Sequence, residues 1–163
     1  MILGLSFQTY TLIHTVISLI GIASGLVALY GMVAGKPLDV WTPIFLISTV
    51  LTSVTGFGFP FTQLLPSHVF GIISLAVLAV AIIGLYVFRL SGAWRWIYIA
   101  CAVFALYLNC FVGVVQAFMK IPALKALAPT QAEPPFLVAQ LLLLVVFIVL
   151  GFLAVRRFTP AAA

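Results

Sequence analysis

Few side chains in this sequence could do chemistry. The histidines are His14 and His68, the carboxylates Asp39 and Glu133, and the cysteines Cys101 and Cys110. Neutral imidazole is a common metal ligand, and two histidines on different helices at similar depth can ligate one haem iron axially. The same rings can instead grip a polar group by hydrogen bonds, helped by neighbouring hydroxyls and amides. Thr52, Ser53, Asn109, Gln116, Gln131 and Glu133 are the candidates for that help. Three readings follow from these residues. One is a haem b site on His14 and His68. The second is a hydrogen-bonding pocket lined by all eight side chains. In the third, the polar groups only satisfy one another.

Other chemistries lack their parts. A zinc hydrolase wants three protein ligands and a general base, and two histidines with one outer carboxylate fall short. There is no G-x-S-x-G elbow and no serine with an obvious His and Asp set. Ion-coupled transport usually leaves a charged side chain within the membrane. Here the apolar segments carry none away from their ends, and no inverted repeat stands out. Cys101 and Cys110 lie nine apart on one expected helix, about 13 Å along its axis, beyond disulfide reach. Enzymatic activity ranks behind binding and structural roles.

The elements that must position these residues follow from composition. The 163-residue chain is 66% hydrophobic and 6% charged, with mean hydropathy +1.39. Soluble domains average about 25% charged residues, so too few polar side chains exist here to cover a globule. An all-α, polytopic membrane bundle in a single domain is expected. The net charge of +5 is no nucleic-acid signal, because the basic residues are scattered singly or in one pair.

A helical span needs roughly 20 apolar residues. Five candidates emerge, at about 7–33, 41–59, 68–88, 94–119 and 135–155, with an outer loop over 120–134. Prolines support these boundaries, since Pro suits a helix's first turn and disrupts its interior. Pro43, Pro66, Pro134 and Pro135 fall at starts; Pro37, Pro60, Pro122 and Pro129 fall in connections. The excess of Lys and Arg on cytoplasmic loops sets orientation. A cytoplasmic C-terminus places Lys36, Arg89, Arg95, Arg156 and Arg157 inside, with Lys120 and Lys125 outside. The N-terminus is then outside, and the absence of basic residues before the first span argues against a cleaved signal peptide.

This topology gathers the polar residues in the outer halves of the spans. His14, Ser18, Gly21 and Gly25 form one helical stripe, and Ala105, Asn109, Gly113, Gln116 and Lys120 another. Both stripes should face the bundle interior, because polar groups facing lipid lose hydrogen bonds. Gly21 with Gly25, and Gly31 with Gly35, offer small-xxx-small faces for close helix approach. In the outer connection, "IPALKALAP" suits a short amphipathic helix on the interface. Thr130 to Glu133 has the form of a capping box ahead of Pro134 and Pro135. Glu133 either caps the last helix and pairs with Lys120 or Lys125, or rims the pocket together with Gln131.

The stretches "TSVTGFGFPF" and "LAPTQAEPPF", with "LPSHVFGIISLAVLAVA" and "WRWIYIACAVFALYLNCFVGVVQAF", resemble those of a group of small bacterial inner-membrane proteins. The resemblance covers nearly the whole chain and implies a multi-pass place in that membrane, but brings no activity with it. The expected function is a pocket open to the periplasmic side for an amphipathic ligand: a quinone, a lipid headgroup or haem. The alternative is an accessory or structural subunit of a membrane complex, or a homo-oligomer. The expected partners are the lipid bilayer and other membrane subunits, with no nucleic acid.

Overall fold

A computed structural model describes residues 2, 4–36, 39–60 and 66–159, the side chains of residues 66 and 67 excepted. The expected connections through residues 37–38 and 61–65 lie outside the described residues. The described chain is helical, with α1 at Phe7–Val33, α2 at Trp41–Gly56 and α3 at Pro66–Ile82, the last continued by one π-helical turn, Ile83–Val87. Then come α4 at Trp94–Lys120, a short α5 at Pro122–Leu127 and α6 at Pro134–Arg157. Four segments are long and apolar enough to cross a membrane: Phe7–Val33, His68–Val87, Trp94–Lys120 and Pro134–Arg157. This is compatible with a multi-pass membrane protein.

The second segment departs from expectation. α2 has 16 residues and ends at Gly56 rather than continuing to Phe59. It rises only about 24 Å, short of the roughly 30 Å hydrocarbon thickness. The two glycines of "TGFGFP" loosen the helix here, and the chain turns so that its phenylalanines plug the helix end. Phe57 lies against His68, with ring centroids 5.7 Å apart, and Phe59 lies against Tyr10 and His14.

Helix α4 is the hub, packing against α1, α2, α3, α5 and α6. Burial agrees: 44% of the apolar window of α4 is inside, against 11% for α6. Tyr98, Ile99, Ala105 and Leu106 of α4 meet Phe45 of α2 and Leu78 of α3 in the core. The outward faces of α1, α3 and α6 are nearly all apolar, as a lipid-facing surface requires.

Glycine contacts fix the register of α1 against its neighbours. An ideal Cβ at Gly21 would lie 3.1 Å from Asn109 Nδ2 and 3.2 Å from Thr49 Oγ1. At Gly25 it would lie 2.7 Å from the Phe45 ring and 2.5 Å from Leu106 Cδ1. Together with the His14–Thr55 hydrogen bond, these pairs run antiparallel along α1 and α2. These glycine faces are therefore filled within the chain.

One end of the bundle is built around Arg95. Its Nη1 donates to the carbonyls of Val155 (3.0 Å) and Phe158 (2.6 Å), taking up acceptors left open where α6 ends. α1 arrives at the same end through a Schellman motif, with Lys36 N–H bonded to Gly31 O and Gly35 N–H to Met32 O. Gly31 is buried in that last turn, and Gly35 adopts φ +67° with its open side toward Arg157 O. Lys36, Arg89, Arg95, Arg156 and Arg157 thus gather at this end, and Lys120 closes the opposite end of α4 with Lys125 beyond it in α5.

Candidate functional site

The end opposite Arg95 carries the densest polar cluster between α1 and α2. His14 Nδ1 lies 2.8 Å from Thr55 Oγ1. Thr55 Oγ1 donates to Leu51 O one turn back at 2.7 Å, and Tyr10 OH donates to Thr55 O at 2.7 Å. Phe59 stands edge-on to three rings, those of Phe7, Tyr10 and His14, at 5.9, 5.1 and 5.2 Å. Thr52 lies three residues before Thr55, on the same side of α2, with its Oγ1 buried and without a hydrogen-bond partner among the described residues. His14 is half-buried and Tyr10 buried, so this cluster forms a wall between the helices.

The remaining candidates are distributed elsewhere. Ser53 faces α3, donating to Thr49 O at 2.9 Å with its Oγ 3.1 Å from the Ser74 hydroxyl. His68, 4% exposed, sits on that α3 side against Phe57. Asn109 lies in the middle of the bundle, where its Nδ2 and Thr49 Oγ1 face Gly21, both buried and without hydrogen-bond partners among the described residues. Gln116 is exposed. It lies two residues from Phe118, about 200° around the helix, and Phe118 is the residue that turns inward, onto Phe136.

The connection before α6 forms its own structure. α5 covers Pro122–Leu127, and Gln131 anchors the following turn with Nε2 on Val115 O at 3.2 Å. Gln131 takes φ +62°, a left-handed conformation. The Glu133 carboxylate accepts from Thr130 Oγ1 and N–H and from Ala132 N–H. Desolvation pushes the carboxyl pKa up, but the Thr130 hydroxyl and the backbone N–H groups together outweigh it and hold the pKa below the ordinary value. The turn resembles half a capping box, with one difference. Glu133 is itself the residue before the first helical one, so its side chain closes the loop rather than capping α6.

No group of three His, Cys, Asp or Glu side chains able to hold a metal exists among the described residues. Cys101 and Cys110 are free thiols. A groove of about 420 Å³ opens between α2 and the end of α3, lined by Pro43, Leu46, Ile47, Val50, Leu51, Ile82 and Tyr86. Its lining is apolar apart from the Tyr86 hydroxyl, and no histidine lines it.

Sequence reasoning left Tyr10, Thr49 and Thr55 out of the site. Their signal was present: Thr49, Thr52 and Thr55 repeat every three residues and share one side of α2. Comparison of the chain with family models, curated proteins and solved structures gave no match.

Proposed function

We propose that the chain is a five-span inner-membrane protein that holds the polar head of an amphipathic ligand between α1 and α2 at its outer end. In this reading α2 completes the bundle as a short fifth span. The basic end lies in the cytoplasm and the His14 end faces the periplasm. The gathering of five basic side chains at the Arg95 end supports that orientation.

One observation carries the binding reading. His14 is oriented by Thr55, and one turn deeper Thr52 Oγ1 is buried without a hydrogen-bond partner among the described residues. A buried polar atom left unpaired costs about 1–3 kcal/mol, which a ligand's polar group or an ordered water would recover. Quinone, lipid headgroup and haem remain the ligand classes. Haem fits least well, because Phe57 and Phe59 already lie against the two imidazoles.

Optical spectra of the purified protein, oxidised and reduced, together with mass spectrometry of its organic extract, test this. A quinone or lipid present in wild type and lost in His14→Ala supports the pocket. A Soret band lost in both His14→Ala and His68→Ala makes it a haem site. An extract identical for wild type and His14→Ala sinks the reading. A non-catalytic accessory subunit is then the better choice. Its support is α6, which leaves Leu137, Leu141, Leu142, Val145, Ile148 and Phe152 uncovered for lipid or a neighbouring helix.

A further inference from the structure

We propose that the outer pocket selects a head group bearing a hydroxyl donor, a phenol or an alcohol, over one that offers only carbonyl acceptors. This rests on the pocket reading above and names its ligand chemistry. The selectivity comes down to a single hydrogen. Thr55 Oγ1 carries one, and it lies 2.7 Å from Leu51 O and 3.3 Å from Thr52 O. Carbonyl oxygens can only accept, so that hydrogen is committed to the backbone. The contact with His14 Nδ1 at 2.8 Å is then a hydrogen bond only if Nδ1 brings its own proton. In a neutral imidazole this fixes the tautomer, leaving Nε2 as a bare acceptor.

Tyr10 points the same way. Its hydroxyl hydrogen is spent on Thr55 O at 2.7 Å, so its oxygen has only lone pairs left to offer. Both oriented polar groups of the cluster therefore accept. Thr52 Oγ1, buried and without a partner among the described residues, can turn to donate or accept. A carbonyl head would set lone pair against lone pair at His14, whereas a hydroxyl head donates to Nε2 and can still accept from Thr52. The Phe59 ring against the imidazole, itself flanked by Phe7 and Tyr10, gives this head an aromatic wall.

The test uses the intact protein in phosphatidylcholine bilayers, whose head groups carry no hydroxyl donor. Titration calorimetry compares a benzoquinol, the matching benzoquinone and a monoacylglycerol. The expected result is a hydroxyl probe binding about tenfold tighter than the quinone, the worth of one buried hydrogen bond. Tighter binding of the quinol assigns a phenolic head, and tighter binding of the monoacylglycerol assigns a lipid alcohol. Thr55→Val frees the ring to change tautomer, and His14→Gln offers both donor and acceptor. Each should bring the ratio near one. Quinone binding as tight as quinol in wild type, or a ratio unchanged in both variants, overturns the donor rule while leaving the pocket standing. If no probe binds and nothing co-purifies, the pocket reading falls, and this inference with it.

Discussion

Replacing Gly25 with alanine adds one methyl group where the structure has no room for it. The new Cβ would stand 2.7 and 2.9 Å from two atoms of the Phe45 ring and 2.5 Å from Leu106 Cδ1. Leu106 can swing its far methyl group aside. Phe45 cannot retreat easily, because it is 1% exposed and wedged among the core side chains of α1, α2 and α4. Overpacking of this kind costs about 1–3 kcal/mol, and the rigid ring argues for the upper half. Alanine returns about 1 kcal/mol of helix propensity, leaving a net loss of about 1–2 kcal/mol. Gly113→Ala makes the matched control. Its Cβ would meet only Ile22 Cδ1, the flexible end of a side chain, at 3.3 Å. There the propensity gain should dominate, stabilising by about 0.5–1 kcal/mol. Unfolding titrations of both variants in mixed detergent micelles read the two signs directly. Gly25→Ala as stable as wild type, or Gly113→Ala the worse of the pair, would refute the packing geometry.

Three other perturbations have defined outcomes. Arg95→Ala removes two charge-assisted bonds to the carbonyls at the end of α6, so the melt should fall by about 2 kcal/mol, with residues 155–159 cut first by protease. Gly35→Ala forces a Cβ into φ +67° beside Arg157 O, and should cost about 1–2 kcal/mol in the same unfolding assay. The Glu133 carboxyl is held below its ordinary value of 4.5. Its contribution is therefore full above that value and lost as pH falls through the lowered one. Amide protection at Thr130 and Ala132, taken relative to the intrinsic exchange rate at each pH, should fall over that acid range in wild type, and Glu133→Gln should show reduced protection already at neutral pH.

Much of the fold was legible because apolar length and proline placement are strong signals. α1 occupies the expected 7–33, and α4 and α6 fall within a residue or two of expectation. The end of α2 was not legible. Apolar character continues through "FGFP", and only tertiary contacts show that Phe57 and Phe59 leave the helix to cover His68 and His14. The stripe on α4 held its face through Asn109 and Gly113 but not Gln116, because Phe118 took the inward side of the last turns. The site itself was legible only in part. Position in the outer half-spans and outer loop grouped eight polar residues, but facing direction divides them: Ser53 and His68 lie on the α2–α3 side, and His14 and Thr52 lie at the α1–α2 seam. Facing depends on which helices are neighbours, and a run of isolated apolar spans does not encode that order.

The most direct measurement of a ligand at this seam is native mass spectrometry of the intact protein released from detergent. Wild type should carry a discrete adduct of a few hundred daltons or more, shared by Gln116→Ala, whose side chain is exposed. His14→Ala and Thr52→Val should lose it while melting close to wild type. Bare protein in every sample, or an adduct that survives both His14→Ala and Thr52→Val, would contradict a binding site between α1 and α2.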